Sequence, residues 1–388
     1  MKIAYLSNWK SSSGYGHAAR GYLKSLLTTP INVAARHIDV TDETVDDYKR
    51  SLETNEHLLK LENNDLRNID IVIHHTLPHL ISPVSTAKNV AMFAWETSDF
   101  RDNPLWSYCL NNPRIDAIVT FCKQSSASIM NSGINKPIYV VPHAINNIIN
   151  NKLNNIFQTT SNCVFLSINE WSKRKNLDGL LRSYFTTFDV DEPVCLILKT
   201  FISGRTPQDS LNIINEEIKL IKQSLKLKNT PPIYVITNRL NQIGIDTLHK
   251  TANYSINVSY GESFGLSVFE SLPFGNPFIV SDSFAYNEYL PKHRNLGWHI
   301  PVQDDIVHGV NNGSDTLYTG HEIWQSPNLV LTQTAMRTAF NLWRKRGPDG
   351  SKTEYQQMRN GCIKLANKFS YEEIGSQLKK TLENILRV

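Results

Sequence analysis

Short apolar runs alternate with segments of helical periodicity along most of the chain. The runs "KIAYL" (2–6), "IDIVIHH" (69–75) and "IDAIVTF" (115–121) have the length and the β-branched content of buried strands. Segments such as "HAARGYLKSLL" (17–27) have helical periodicity instead. Because parallel strands need long connections that are usually helical, the alternation predicts an α/β protein with parallel sheets.

An asparagine-rich stretch divides this pattern into two. "INNIINNKLNNIFQ" (145–158) lacks a long apolar face and is interpreted as a linker, after which strand and helix patterns restart at "CVFLSI" (163–168). We therefore predict two Rossmann-like, doubly wound domains facing a cleft. The predicted boundaries are 1–145 for the first Rossmann-like domain, 146–160 for the linker, 161–370 for the second Rossmann-like domain, and 371–388 for an amphipathic helix that packs back on the first domain. Ligands of such sheets bind beyond the carboxyl ends of the strands.

Composition narrows the class of protein. The chain has 388 residues, of which 40% are hydrophobic and 20% charged, which suits two globular domains. A net charge of +4 does not by itself indicate nucleic-acid binding. Five widely spaced cysteines without a C-x-x-C pair argue against a disulfide framework or a zinc site and favour a cytoplasmic protein. No integral membrane segment is expected, because no run approaches about 18 apolar residues; peripheral membrane contact and the oligomeric state stay open.

The stretch "SYGESFGLSVFESLPFG" (259–275) carries two carboxylates that stand out. Glu262 lies in a Gly/Ser-rich turn, and Glu270 lies eight positions later in an apolar segment predicted to be helical from near Phe264. Free amides at a helix start attract anions, and a carboxylate accepts hydrogen bonds from both hydroxyls of a diol. The spacing fits a sugar or nucleotide site, although a glutamate near a helix start also fits simple stabilisation of the helix dipole.

This stretch resembles the E-x7-E motif of retaining glycosyltransferases of the GT-B fold, the large family 4 group. The matching positions are Glu262, Phe264, Gly265, Glu270 and Gly275. The resemblance implies that Glu262 contacts the donor sugar in catalysis and that Glu270 binds the nucleotide ribose. It also implies that backbone amides hold the sugar and the phosphates at Gly265, Leu266 and Ser267. Ser263 replaces the family's glycine, and Pro273 is expected to bend or end the helix.

A basic cluster follows the first strand of the second domain in "NEWSKRKNLDGLLRSYF" (169–185). Three cations at a helix start would neutralise a diphosphate, and they would also suit a solvated loop. The segment resembles the phosphate site of the same family, which places Lys175 in catalysis and Arg174 in nucleotide-sugar binding. Asn169 stands where the family often has another basic residue, and the candidates to replace that residue are Lys173, Arg174 and Lys199.

Two segments of the first domain join the pattern. "SSSGYG" (11–16) places Gly14 and Gly16 between the first strand and the first helix; alone this is weak evidence, but it is similar to the glycine loop of the family, beside donor and acceptor. "WETSDFRDNPLW" (95–106) matches a family subgroup that has a glutamate where many members have histidine. The match implies that Glu96 is a catalytic residue on the acceptor side of the cleft. His143, in a segment similar to the family's hinge, is interpreted as structural.

No metal site is predicted. Neighbouring strand residues face opposite sides, so His74 and His75 are poorly placed to bind one ion. The D-x-D sequence at 189–191 lies in a predicted helix-to-strand loop and is interpreted as surface.

The expected function is metal-independent transfer of a sugar from UDP-sugar or GDP-sugar to a hydroxyl acceptor, with retention of configuration and no cofactor. A glycan or glycoconjugate is the expected acceptor, and a hydroxylated base in DNA is a second acceptor that the basic clusters keep open. Two different functions also stay open, those of a sugar-nucleotide epimerase and of an inactive sugar-nucleotide-binding protein. An epimerase needs paired acid and base carboxylates that the sequence does not reveal, and an inactive binding protein does not need an intact E-x7-E motif.

Overall fold

The first half of the computed structural model is built on a six-stranded parallel sheet. Its strands are β1 (Lys2–Ser7), β2 (Asn32–His37), β3 (Ile71–His75), β4 (Lys88–Met92), β5 (Ile115–Thr120) and β6 (Ile138–Val140). They lie in the order β2-β1-β3-β4-β5-β6. β3 is buried along its whole length, which a parallel strand covered on both faces requires. The helices of this half are α1 (Gly14–Leu27), α2 (Val45–Leu52), α3 (Pro104–Leu110) and α4 (Lys123–Asn131).

The second half repeats this architecture. Its strands are β7 (Cys163–Ile168), β8 (Val194–Lys199), β9 (Ile233–Ile236), β10 (Tyr254–Asn257), β11 (Phe278–Ser281) and β12 (Gly297–Ile300), in the order β12-β11-β10-β7-β8-β9. The connecting helices are α5 (Leu177–Thr187), α6 (Pro207–Ser224), α7 (Gln242–Thr251), α8 (Leu266–Phe269) and α9 (Phe284–Tyr289). Two parallel six-stranded sheets with flanking helices confirm the predicted fold class of two doubly wound halves.

The remaining elements follow β12. An antiparallel hairpin is formed by β13 (Val302–Ile306) and β14 (Ile323–Pro327), and it is followed by the helices α10 (Leu329–Arg344), α11 (Glu354–Ala366) and α12 (Tyr371–Arg387). The structure describes residues 1–39, 45–53, 55–146, 162–292, 295–310, 317–346 and 353–387. All of the predicted linker except residue 146 lies outside these ranges.

One large apolar cluster spans the two halves. α12 lies against α1 of the first half, and Gly375 permits this approach, since a Cβ there would stand 2.2 Å from the Ser25 carbonyl oxygen. The imidazole of His143 is buried between Phe121 of the first half and Phe264 of the second, with ring centroids 4.1 and 4.6 Å away. Packing of this kind holds the carboxyl ends of the two sheets together.

The segment around Glu270 differs from the sequence prediction. The predicted helix was too long: α8 ends at Phe269, Glu270 is its C-cap, and a short 3-10 turn follows at Leu272–Phe274. Pro273 is the physical reason, because it has no amide hydrogen to donate to the carbonyl four residues earlier. Gly275, with a φ of 71°, then turns the chain away.

Candidate active site

The candidate site is built where two neighbouring strands end. β7 leads into Asn169 and the basic turn at 173–175, and β10 leads into the loop that carries Glu262. The two strands are parallel partners, so their carboxyl ends deliver both loops to one edge of the sheet. β8 lies on the other side of β7, which makes this the point where the strand order reverses. Ligands of open α/β sheets bind at such a point.

Asn176 fixes these two loops against each other. Its backbone is left-handed, with a φ of 51°. Its Oδ1 accepts a hydrogen bond from the Gly179 amide at 3.2 Å and so caps α5. Its Nδ2 donates to the Val258 carbonyl at 2.9 Å, and the Tyr260 amide donates to the Arg174 carbonyl at 2.9 Å. The basic turn and the glutamate loop therefore have a fixed relative position.

Glu262 and Lys175 form a buried ion pair. Lys175 Nζ donates to Glu262 Oε1 at 2.5 Å, and only 14% of the lysine side chain and 6% of the glutamate side chain are exposed. The same oxygen accepts hydrogen bonds from Asn257 Nδ2 and Ser259 Oγ, each at 3.1 Å. Arg174 Nη1 lies 4.0 Å from Glu262 Oε2. The second carboxylate oxygen thus faces a cation at longer range.

Charge sets the protonation of this pair. Burial alone would raise the pKa of Glu262, but Lys175 and Arg174, with the donated hydrogen bonds, hold that pKa below its ordinary value. Burial and the neighbouring Arg174 lower the pKa of the Lys175 ammonium, and Glu262 opposes them. The site therefore presents an ionised carboxylate beside two cationic side chains.

Glu96 reaches this cluster from the first half. Arg174 Nε lies 3.2 Å from Glu96 Oε1, and the Tyr318 hydroxyl donates a hydrogen bond to the same oxygen. Burial would lower the pKa of Arg174, but Glu96 and other anions around it raise that pKa above its ordinary value. The backbones also approach closely, since a Cβ on Gly261 would stand 2.8 Å from the Glu96 carbonyl oxygen. The structure thus brings together Glu96, Arg174, Lys175 and Glu262.

Glu270 lies apart from this cluster, at the far end of α8. Its Oε1 stands 3.6 Å from Nδ1 of His17, which lies on α1 of the first half. Burial would raise the pKa of the carboxyl, but His17 and more distant cations hold it below its ordinary value. Glu270 is half-buried, with 27% of its side chain exposed, and it can therefore accept hydrogen bonds from a ligand.

The backbone at the start of α8 lies between the two glutamates. Gly265 is its N-cap with a φ of 82°, and a Cβ there would stand 2.3 Å from the Tyr286 ring, so no other residue fits without rearrangement. Leu266 and Ser267 follow it, and the amides of a first helical turn have no intrahelical partners. Across the cleft, Gly14 lies 3.9 Å from the Leu266 side chain, measured from its ideal Cβ position, and Gly16 donates to the Ser13 hydroxyl at 3.3 Å.

Asn169, which stands where the family often has a basic residue, makes amide hydrogen bonds there. Asn169 Oδ1 accepts from Asn257 Nδ2 at 3.2 Å, and its own Nδ2 donates to Ser167 Oγ at 2.9 Å. Lys199, at the end of β8, is buried, and burial lowers its pKa to about 8. Its Nζ lies 5.9 Å from the centre of the Phe201 ring. Lys199 is therefore a second buried ammonium at the same edge of the sheet.

Sequence reasoning missed several residues of the cluster. Asn257 and Ser259 could have been found as polar residues at the end of a buried strand. Tyr318 carries no local signal, because it lies 222 positions from the glutamate that it contacts. The two adjacent histidines have separate partners, Asn89 for His74 at 3.1 Å and Tyr5 for His75 at 2.6 Å.

Two kinds of feature are absent from the described part of the chain. In it, no cluster of three or more histidine, cysteine or acidic side chains is placed to hold a metal ion. None of the helices in those ranges combines the length and the apolar character needed to cross a bilayer.

Comparison with known proteins gave matches by structure. No protein-family model and no curated protein matches the sequence. Sucrose-phosphate synthase from Thermosynechococcus elongatus has a TM-score of 0.63 at 13% identity, over 100% of this chain and 99% of that one. A glycosyltransferase from Rickettsia africae has a TM-score of 0.63 at 13% identity, over 99% and 98%. TarM from S. aureus, solved with UDP, has a TM-score of 0.56 at 13% identity, over 82% of this chain and 55% of TarM.

These likenesses show a shared fold. The chain spans little more than half the length of TarM, and its match covers 60% of the pneumococcal O-GlcNAc transferase GtfA. It matches sucrose-phosphate synthase over nearly the full length of both proteins. The two facing Rossmann-like halves of this chain therefore have the GT-B fold, as the E-x7-E resemblance implied.

Proposed function

We propose that this protein is a retaining glycosyltransferase that moves a sugar from a nucleotide diphosphate sugar to a hydroxyl group of a glycan or glycoconjugate. The observation that carries the proposal is the buried cluster of Glu262, Lys175, Arg174 and Glu96 at the strand-order reversal, between two GT-B halves. The E-x7-E pattern, which resembles that of family 4, supports the retaining assignment. UDP in the structures of TarM and GtfA favours a UDP-sugar as the first donor to test.

Each residue has a role in this proposal. The ammonium of Lys175 and the guanidinium of Arg174 offset the charge of the diphosphate, together with the amides of Gly265, Leu266 and Ser267. Glu262 accepts a hydrogen bond from a donor sugar hydroxyl, and Glu270 accepts both hydroxyls of the ribose. Gly14 and Gly16 border the donor from the first half, and Glu96 faces the acceptor.

The proposed reaction is a substitution on one face of the sugar. The bond between the anomeric carbon and the phosphate oxygen breaks, and its electron pair leaves with the nucleoside diphosphate. The acceptor oxygen forms the new bond to the same carbon, and its proton passes to the departing phosphate oxygen. Contact between the two halves excludes water from this step, which limits hydrolysis of the donor.

Organisation and compartment belong to the same proposal. We assign residues 1–145 to the acceptor domain, 161–370 to the donor domain and 371–388 to a helix that returns to the first domain, supported by the two separate sheets and by the contact of α12 with α1. The five cysteines are unpaired thiols, four of them buried, which suits the reducing cytoplasm.

A donor panel tests the proposal. UDP-glucose, UDP-N-acetylglucosamine and GDP-mannose are each incubated with the protein and a set of nitrophenyl glycosides, and nucleotide release and product mass are measured. We expect transfer from one of them, with the anomeric configuration of the donor retained by NMR. Lys175→Ala should reduce kcat by at least ten-fold, since it removes an interaction with the leaving diphosphate. Binding of nucleotide sugar without turnover would contradict the proposal.

A further inference from the structure

A segment of the second half reaches across the cleft and docks on the first half. We call residues 317–323, which lead into β14, the arm. The Ser98 amide donates to the Ile323 carbonyl at 2.9 Å, and the Ile323 amide donates to Ser98 Oγ at 3.0 Å. His321 Nδ1 lies 2.9 Å from Asp102 Oδ2. These contacts place the arm along the loop that follows β4.

The turn of the arm is held by a buried carboxylate. Glu322 is 1% exposed and accepts hydrogen bonds from the amides of Thr319 and Gly320, all at 3.0 Å. The Thr319 hydroxyl adds a further bond to it at 3.1 Å. Buried carboxylates that accept several backbone hydrogen bonds fix a loop geometry. The arm therefore arrives at the cleft as a shaped turn.

The base of the arm is hydrogen-bonded to the glutamate loop, which carries Glu262. The Gln325 amide donates to the Tyr260 carbonyl at 2.8 Å, and the rings of Tyr260 and Trp324 stack with centroids 4.8 Å apart. Tyr260 lies two positions before Glu262 in the chain. The arm and the glutamate loop therefore form one connected unit of the second half.

This geometry gives Glu96 partners from the opposite half. Tyr318 packs its ring against Trp95, with centroids 5.3 Å apart, and its hydroxyl donates to Glu96 Oε1. Arg174 contacts the same oxygen. Among the described residues, no hydrogen bond from the protein reaches Oε2, although 16% of the Glu96 side chain is exposed. One carboxylate oxygen is thus anchored by the second half, and the other is left for a ligand.

We propose that Tyr318 is a positioning residue, which holds Glu96 so that Oε2 receives a hydrogen bond from the acceptor hydroxyl. The inference rests on the proposed function and extends it to the acceptor side. Burial, with the Glu96 carboxylate beside it, raises the pKa of Tyr318. Its hydroxyl therefore stays protonated and can donate the hydrogen bond to Glu96. The arm therefore orients Glu96 from the second half, through the Tyr318 hydroxyl.

The test compares two variants that each remove one tyrosine hydroxyl. Tyr318→Phe removes the bond to Glu96; Tyr184→Phe is the matched control, since its hydroxyl donates to the Pro232 carbonyl at 2.8 Å, away from the cleft. The donor and the nitrophenyl glycoside that the wild type uses best serve as probes. We expect Tyr318→Phe to lower the ratio of transfer to donor hydrolysis about ten-fold. A hydrogen bond to a charged group contributes a free energy of about this size. Affinity for UDP should change less than transfer does, because Tyr318 reaches the proposed nucleotide site only through Glu96, whose Oε1 Arg174 also contacts.

A double-mutant cycle separates positioning from a general structural role. If Tyr318 acts through Glu96, adding Tyr318→Phe to Glu96→Gln lowers transfer no further, whereas independent effects multiply. Multiplying effects, or a Tyr318→Phe enzyme that transfers like the Tyr184→Phe control, would overturn the inference while leaving the proposed function in place. A wild type that releases no nucleotide from any donor of the panel would overturn both.

Discussion

Replacing Lys175 by methionine removes one charge from a buried pair and keeps most of the side-chain volume. The Glu262 carboxylate then remains 6% exposed, with two neutral donors at 3.1 Å and Arg174 at 4.0 Å. Removing one partner of a buried pair costs about 3–5 kcal/mol. Because those contacts persist, and because burial and Arg174 disfavour the ammonium that is removed, we expect a loss at the lower end, about 3 kcal/mol, in the free energy of unfolding at pH 7.

The loss should depend on pH in a defined direction. In the wild type the folded pKa of Glu262 lies below its ordinary value, so its contribution to stability is present above the unfolded pKa and is lost as the pH falls through the folded pKa. In Lys175→Met, burial is no longer opposed by the ammonium, and the folded pKa rises. The loss of stability in the variant should therefore be smaller at pH 4 than at pH 7. This interval of about three pH units covers the range in which a buried carboxyl group titrates.

Urea unfolding followed by tryptophan fluorescence at both pH values measures this deficit. The matched control is Lys219→Met, which breaks an ion pair with Glu216 whose side chains are 61% and 70% exposed. Such exposed pairs contribute about 0–1 kcal/mol. The double variant Lys175→Met, Glu262→Gln should regain part of the loss, because it also removes the unpaired charge. Equal losses from Lys175→Met and Lys219→Met, or a deficit that does not depend on pH, would refute the reasoning.

Three further outcomes are expected. Glu270→Ala should weaken UDP binding in calorimetry by about ten-fold, because charged hydrogen bonds to the ribose are lost, and an unaltered Kd would remove Glu270 from the site. Gly265→Ala should lower Tm more than Gly133→Ala: both positions have positive φ, but a Cβ at Gly265 meets the Tyr286 ring at 2.3 Å whereas none meets a neighbour at Gly133, and equal shifts would count against this steric account. Lys199→Met should stabilise the protein at pH 7, because burial disfavours its ammonium, and the gain should shrink as the pH rises above the folded pKa of about 8; unfolding at pH 7 and pH 10 checks this trend.

The sequence predicts the buried strands well and the polar ones poorly. β3 and β8 are buried along their whole length, and their continuous apolar runs leave little ambiguity. β2 carries the small residues of "NVAARH", and β13 carries "VQDDI", so neither shows a strong apolar pattern. The short hairpin that bears the arm was therefore not predicted, although its position decides which residues of the second half contact Glu96.

The candidate site divides in the same way. Glu262 and Lys175 could be identified because each lies in a short motif beside a strand end. Their direct pairing at 2.5 Å could not, since it joins loops 87 positions apart. The predicted helix was too long, because the apolar pattern continues past Glu270, whereas the structure changes there to a 3-10 turn that contains Pro273. Residues in short motifs can therefore be identified from the sequence, whereas contacts between distant loops depend on the topology of the fold.

The closeness of Gly261 to the Glu96 backbone has a mechanical consequence. A Cβ at position 261 would stand 2.8 Å from that carbonyl oxygen, so any side chain there would push the two halves apart. An alanine at this position is expected to separate the two halves slightly, so that water could enter the proposed sugar site. In the proposed reaction, hydrolysis of the donor would then depend on a single methyl group. Position 261 is therefore a site at which the closeness of the two halves can be engineered.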